Sequence, residues 1–273
     1  MEYTCLDIEC DPAALELIFA LLSSAPFEAF EEEETGGKAF ILSELWDDAA
    51  RQTVADAQNL VPFTFSARIV ADENWNAIWE AGFQPIRMGD FCGIRASFHD
   101  PMPGVRHELV IDPKMAFGTG HHETTSMMVE AMEEIDFKGK RVFDFGCGTG
   151  VLAILARKLG AEEVLAIDYD PASTENTIEN VQLNKVEPVE VLEGTLDVVP
   201  HQLFAVILAN INRNVLMDTL PDLKTLLEPG GLLLLSGILI RDQPLLLERA
   251  AETGLIFESA QTKGDWCMLR FRG

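Results

Sequence analysis

Residues 141–150, Arg-Val-Phe-Asp-Phe-Gly-Cys-Gly-Thr-Gly, restrict the fold of this chain more than any other stretch. An apolar run carries Asp144, and glycines follow at alternate positions, Gly146, Gly148 and Gly150. A helical stretch over 151–159 comes next, and then a second apolar run that closes on Asp168. Strand, glycine loop, helix, strand and terminal acid make the first half of a nucleotide-binding α/β sheet. The glycines let the loop turn sharply and let a ligand approach the backbone with no Cβ in the way. Asp168, at the tip of the second strand, can accept hydrogen bonds from both hydroxyls of a ribose.

The same loop separates one nucleotide ligand from another. A dinucleotide fingerprint, Gly-x-Gly-x-x-Gly, would put its third glycine where Val151 stands, whereas here it arrives one residue early. Asp144 precedes Gly146 by two positions, and a carboxylate aimed at the ligand repels a pyrophosphate but suits a cation or an amine. S-adenosylmethionine carries a sulfonium and an α-ammonium and no phosphate, so it fits this loop better than NAD does.

The rest of the C-terminal part supports that frame. Strands are expected over 142–145, 164–168, 189–192, 204–209, 231–236, 256–262 and 266–271, with helices over 151–159, 172–183, 215–227 and 242–253. Uninterrupted apolar strands such as 205–209 and 232–235 suit a parallel sheet covered on both faces. The chain closes with two strands joined through Gly264-Asp265 and no helix between them. That hairpin points to an α/β, Rossmann-like, seven-stranded class I methyltransferase sheet rather than the six-stranded dinucleotide fold.

Residues 1–70 alternate as β-α-β-β-α-β, which predicts a smaller ferredoxin-like α+β domain. Residues 71–112 read as a connector, with a short helix over 74–81 whose Trp75 and Trp79 share one face, and strands over 91–96 and 108–111. The large α/β domain is then 113–273.

Charge narrows the partners. The net charge is −25, and residues 1–100 hold 19 acidic and 5 basic side chains. Such a chain lacks the basic patch that a phosphate backbone needs, so no direct DNA or RNA partner is expected, and a basic protein is the better match. Five cysteines, scattered and without a Cys-x-x-Cys pair, indicate reduced thiols. With no membrane-length apolar run and no signal-like N-terminus, a cytoplasmic monomer away from membranes is expected.

Two further segments sit where ligands bind in such sheets, beyond the carboxyl ends of strands. In 112–125, Gly118 and Gly120 make a second backbone-rich loop, and Thr124 and Thr125 place hydroxyls at a helix start. Phe117, Gly118, Thr119 and His122 are the candidates there for substrate or lid contacts. No metal is expected, because His121, His122 and Glu123 are adjacent and point apart. After the fourth strand comes Asn210-Ile211-Asn212. Asn210 is the catalytic candidate, since its side-chain amide can accept a hydrogen bond from a nucleophilic amine. Asn212 reads instead as a helix N-cap. The turn Ser236-Gly237-Ile238-Leu239 follows the fifth strand.

Taken together, Ala116-Phe-Gly-Thr-Gly120, Asp144-Phe-Gly-Cys-Gly-Thr-Gly150, Asp168-Tyr-Asp-Pro171, Asn210-Ile211, Ser236-Gly-Ile-Leu239 and Asp265-Trp266 resemble the ribosomal protein L11 methyltransferase (PrmA) family over roughly 74–272. The resemblance implies S-adenosylmethionine as cofactor, held by Thr125, Gly146, Asp168 and Asn210, and the loop reading adds Asp144, Gly148 and Gly150 to the candidate cofactor site. It also implies an N-terminal substrate-recognition domain. The implied reaction is methyl transfer to lysine ε-amines, and to the N-terminal α-amine, of ribosomal protein L11. Two departures lie near the expected substrate path. His121-His122-Glu123 replaces the family's Thr-His-Pro, and Asn212 replaces a leucine. Alternatives are a methyltransferase of another protein or of a small-molecule amine, a nicotinamide-dependent oxidoreductase, and a non-catalytic ribosome-binding module. Val151 and the terminal hairpin weigh against the oxidoreductase.

Overall fold

The structure is a computed structural model that describes residues 3–11, 14–22, 25–33, 36–70, 84–112, 118, 120 and 122–273. The chain divides into two compact units, residues 1–82 and 83–273.

The first unit runs β1 (Tyr3–Glu9), α1 (Leu15–Leu22), β2 (Phe27–Glu33), β3 (Gly36–Leu42), α2 (Asp48–Leu60) and β4 (Thr64–Val70). Its sheet has the order β2-β3-β1-β4 with every pair antiparallel. The two helices cover one face through Ile18, Leu22, Val54 and Ala57, which meet Leu6, Ile8 and Ala39. Alternation puts Cys5 and Asp7 on the opposite face, where Asp7 pairs with Arg68 at 2.7 Å. Asp47 ends the approach to α2 as its N-cap, accepting from the Ala49 and Ala50 amides.

The second unit opens with β5 (Ile86–Met88), β6 (Cys92–Arg95) and β7 (His107–Val110), a three-stranded sheet. Met88, Phe91, Ile94, Leu109 and Ile111 share a core with the large sheet, so this segment packs as part of the second unit rather than as a free strap. The strand over 86–88 is too short, at three residues, to show a period in the sequence. The helix expected over 74–81 lies outside the described residues.

The large sheet is built from β8 (Arg141–Phe145), β9 (Glu163–Asp168), β10 (Val189–Glu193), β11 (Phe204–Asn210), β12 (Leu227–Leu239), β13 (Ile256–Lys263) and β14 (Trp266–Arg272). Its order is β10-β9-β8-β11-β12-β14-β13, with only β14 antiparallel to its neighbours. The seven-stranded sheet and terminal hairpin expected from the sequence are therefore present. Among the described residues, five helices cover it: α3 (Glu123–Met132), α4 (Val151–Lys158), α5 (Pro171–Asn184), α6 (Arg213–Leu226) and α7 (Gln243–Glu252).

Residue alternation sorts each strand between two cores. Val142, Val164, Ala166, Val206 and Leu208 face α3 and α4, while Phe143, Phe145, Leu165, Ile207 and Ala209 face α6 and α7. Both faces being buried explains why 204–209 shows no polar alternation. β12 runs well past the expected 231–236, because β11 pairs with its start at Leu227 and β14 with its end at Leu239. No described helix is long and apolar enough to cross a membrane.

Candidate active site

Strand register brings the expected residues into one row. Phe145 pairs with Ile167 on one side and Ala209 on the other, and Asn210 pairs with Ser236. One step beyond, Asp168, Gly146 and Asn210 lie side by side at the carboxyl ends of β9, β8 and β11, with Ser236 of β12 next to Asn210. The strand order reverses between β8 and β11, since β8 leads to β9 and β10 on one side while β11 leads to β12 on the other. Such a switch point opens a crevice between the loops that leave the two strands. Neighbouring strands lie about 4.8 Å apart, so the row from Asp168 to Asn210 spans roughly 10 Å.

The glycine loop is held open by backbone geometry. The Gly146 and Cys147 amides donate to the Ile167 carbonyl at 2.9 and 3.0 Å, and Gly150 donates to the Cys147 carbonyl at 2.8 Å. Gly146 has φ +74°, and an added Cβ there would overlap Cγ2 of Ile211 from the neighbouring crossover. Alanine at position 146 therefore meets both an unfavourable left-handed backbone and a packed, branched side chain. We expect Gly146→Ala to cost about 2–4 kcal/mol of stability. A urea midpoint equal to that of the parent would show that the loop needs no glycine there.

Asp168 is 9% exposed and already organises the loop, accepting from the Gly148 amide at 3.0 Å and the Asp170 amide at 3.1 Å. Each of these bonds uses a different carboxylate oxygen. Each oxygen therefore keeps lone-pair capacity for a second donor.

Asp144 is 1% exposed. Its Oδ2 accepts from the Ala153 amide at 3.0 Å in the first turn of α4. Its Oδ1 is buried and has no hydrogen-bond partner among the described residues. Burial pushes its carboxyl up to about 7, the Ala153 amide pulls the other way, and the negative charge of Asp168 adds to the rise.

Asn210 repeats the pattern on the other side of the crevice. Its Nδ2 donates to the Thr125 hydroxyl at 3.1 Å, and its Oδ1 is buried without a partner among the described residues. Thr125 is fully buried at the start of α3, so its hydroxyl orients the amide rather than presenting itself to solvent. Unpartnered buried acceptors are costly, and two of them flanking one loop mark where donors from a ligand belong.

The remaining candidates divide. Gly118 and Gly120 adopt φ +103° and +91°, and the Gly118 carbonyl accepts from the Thr149 hydroxyl at 2.7 Å. His122 is the N-cap of α3, its Nδ1 taking the Thr124 amide at 3.3 Å, and its ring meets Trp266 edge-on at 4.7 Å. Glu123 occupies the first turn of α3. Asn212 caps α6 through the Val215 amide at 3.1 Å, which leaves Asn210 the better placed of the two asparagines for chemistry. Phe117, Thr119 and His121 lie outside the described residues.

Sequence reading passed over the polar face of α5. Thr177 donates to the Gly148 carbonyl at 2.8 Å, and Asn180 donates to the Thr149 carbonyl at 2.9 Å. The one signal for them was the spacing Asn176, Asn180, Asn184, one residue per helical turn.

Comparison with known proteins agrees with this geometry. A family model described as ribosomal protein L11 methyltransferase (PrmA) matches residues 6–273. The ribosomal protein L11 methyltransferase of Porphyromonas gingivalis is 43% identical over 264 residues, covering 94% of this chain and 90% of that protein. The protein of the same name from Phocaeicola vulgatus is 38% identical over 276 residues, covering 99% and 98%. Among solved structures, a ribosomal protein L11 methylase from Lactobacillus delbrueckii subsp. bulgaricus matches with TM-score 0.64 at 29% identity. That match covers 69% of this chain and 98% of the other. A methyltransferase from Pyrococcus furiosus, 20% identical with TM-score 0.50 over 60% of this chain and 88% of its own, shares the fold. The glycine loop at the switch point, the seven-stranded sheet and the match along nearly the whole length agree, and the chain belongs to the ribosomal protein L11 methyltransferase (PrmA) family.

Proposed function

We propose that this protein transfers methyl groups from S-adenosylmethionine to amines of ribosomal protein L11, lysine ε-amines first and the N-terminal α-amine second. The observation that carries this reading is the pair of buried, unpartnered acceptors, Asp144 Oδ1 and Asn210 Oδ1, on the adjacent strands β8 and β11 at the switch point. A phosphate-bearing dinucleotide would bring more acceptors to that place. S-adenosylmethionine brings an α-ammonium, and an amine substrate brings N–H donors. The residues present therefore fit this cofactor better than NAD.

When bound, S-adenosylmethionine supplies a methyl group activated by the sulfonium. Asp168 accepts hydrogen bonds from the ribose hydroxyls with the lone pairs left over after holding Gly148 and Asp170. Asp144 Oδ1 would accept from the α-ammonium, and the left-handed glycines keep Cβ atoms out of the loop. Asn210 accepts an N–H of the target amine at Oδ1, which leaves the amine lone pair directed at the methyl group. Its rotamer is held by Thr125. An ammonium has no lone pair, so the target must shed its proton to solvent before attack. Catalysis then rests on positioning and on excluding water from the crevice. The net charge of −25 favours capture of a basic ribosomal protein, and a cytoplasmic reaction agrees with that substrate.

The direct test is transfer of labelled methyl from S-adenosylmethionine to purified ribosomal protein L11, with sites assigned by mass spectrometry. Incorporation at lysines is expected. Asn210→Ala should lower turnover about 100-fold, roughly 3 kcal/mol of lost transition-state positioning, while cofactor affinity changes less. Cofactor binding without incorporation at any amine of that substrate would overturn the reading.

A further inference from the structure

The buried polar face of α5 ties two loops of the candidate site together. Asn180 is fully buried and uses both ends of its amide. Its Nδ2 donates to the Thr149 carbonyl at 2.9 Å, inside the glycine loop. Its Oδ1 accepts from the Asp112 amide at 2.9 Å, where the second glycine-bearing segment begins. One turn earlier, Asn176 donates to the Asp112 carbonyl at 2.7 Å. Beside them Thr177 takes the Gly148 carbonyl at 2.8 Å. The Thr149 hydroxyl completes the frame by donating to the Gly118 carbonyl at 2.7 Å. Each bond joins segments that lie 29 to 68 residues apart in the chain.

The residue type matters as much as the position. Between a carbonyl and an amide N–H, only a side chain with one donor and one acceptor satisfies both, and a carboxamide does so in the manner of a peptide group. An aspartate at 180 would set a carboxylate against the Thr149 carbonyl, and a leucine would leave two buried backbone groups unpaired. Asn184, one turn further on, makes the same two-sided clasp on Val110, to its amide at 2.9 Å and its carbonyl at 2.6 Å. Among the described residues, the hydrogen bonds of Asn184 reach Val110 and Asn180 and none reaches the glycine loop. Nature therefore supplies a matched pair on one helix face, one clasp that includes the loop and one that does not.

We infer that Asn180, supported by Asn176, is a positioning residue for cofactor binding: it locks the Thr149 carbonyl to Asp112 and so holds the Gly146–Gly150 turn ready for its ligand. The inference rests on the reading of that turn as the S-adenosylmethionine site. A helix that begins shortly after Asp168, capped by Asp170, thereby braces the loop through the Gly148 and Thr149 carbonyls. The side chain itself touches no ligand, because it is fully buried and its amide is spent on backbone.

The test compares Asn180→Ala with Asn184→Ala in the full chain. Each deletes a two-sided clasp on backbone, so the two should lose similar thermal stability. By calorimetric titration with S-adenosylmethionine, Asn180→Ala is expected to bind at least tenfold more weakly and Asn184→Ala within twofold of the parent. In turnover assays the cofactor KM of Asn180→Ala should rise by the same factor, with kcat at saturation within threefold. Hydrogen exchange of the free protein gives a readout independent of any ligand. Amides of 146–151 should exchange at least tenfold faster in Asn180→Ala, and those of 107–112 alone in Asn184→Ala. Equal affinity losses in the two variants, or unchanged exchange at 146–151, would overturn the inference. If the parent itself fails to bind S-adenosylmethionine, the cofactor reading falls while the exchange result still decides the brace. Should Asn180→Ala not fold, Asn176→Ala removes the bond to the Asp112 carbonyl and the long 3.4 Å bond accepted from Asn180, and leaves both backbone bonds of Asn180 in place. About a threefold affinity loss is then expected, and none would overturn the inference.

Discussion

Replacing Asp168 with alanine is expected to weaken S-adenosylmethionine binding by about 100-fold or more. The carboxylate does two things at once in the proposed site. It holds the glycine loop through the Gly148 amide and starts the turn into α5 through the Asp170 amide. Its remaining lone pairs are the acceptors offered to the ribose. Hydrogen bonds to a charged group contribute roughly 1.5–3 kcal/mol each, so losing two ribose contacts gives about 3–6 kcal/mol. Every 1.4 kcal/mol is a factor of ten, which puts the expected loss at two orders of magnitude at the least. Titration calorimetry on the purified variant reads this directly, with circular dichroism to show that the sheet has formed. Asp168→Asn should fall between, because one amide oxygen can still serve the loop. An alanine variant that binds like the parent would remove Asp168 from the cofactor site.

The second large effect is a pH dependence that resides in Asp144. Burial raises this carboxyl from 3.8 to about 7, with the Asp168 charge adding to the rise. A folded value above the unfolded one means that the folded chain prefers the protonated acid. The associated stability is fully present below about pH 4 and is lost as pH rises through about 7. Three pH units at 1.36 kcal/mol each set its scale at roughly 4 kcal/mol. A cationic ligand reverses the preference, because an ammonium against Oδ1 favours the ionised form. Binding of S-adenosylmethionine should therefore tighten as pH rises from 6 towards 7, level off above it, and release a proton at the lower end. Calorimetry in buffers of different ionisation enthalpy counts that proton. Asp144→Asn should flatten the profile, weaken binding at pH 8 and raise the melting temperature of the free protein at pH 8. If parent and variant share the same slope between pH 6 and 8, the linkage belongs to another group.

The elements that the sequence made legible are those whose signal is local. The glycines at 146, 148 and 150 are needed wherever a strand turns at once into a helix beside a ligand, and they are found with left-handed φ values of +74°, +54° and +78°. Apolar runs at 164–167 and 205–209 lie in buried parallel strands because nothing polar can stand on either face there. Asn212 caps its helix through the Val215 amide three residues on, so it can be read without its surroundings. The three-residue β5 and the long β12 were not legible in this way. Their extent depends on which neighbour they pair with, as Leu227 with Phe204 and Leu239 with Trp266.

The candidate site divides along the same line. That Asp144, Asp168 and Asn210 stand at strand ends follows from the sequence, and the choice of a cationic, phosphate-free ligand follows from a carboxylate beside three glycines. Which acceptors are already satisfied does not. Only the tertiary structure shows that one oxygen of Asp144 is spent on the Ala153 amide while the other is left over, and that Thr125 holds the Asn210 nitrogen while its oxygen is left without a partner among the described residues. The brace through Asn180 is likewise invisible in one dimension, because its two partners, Asp112 and Thr149, lie 68 and 31 residues away. Local chemistry determines where a chain turns, caps and alternates. Burial, pairing and the leftover valence of a polar atom are properties of packed neighbours, and only the folded chain decides them.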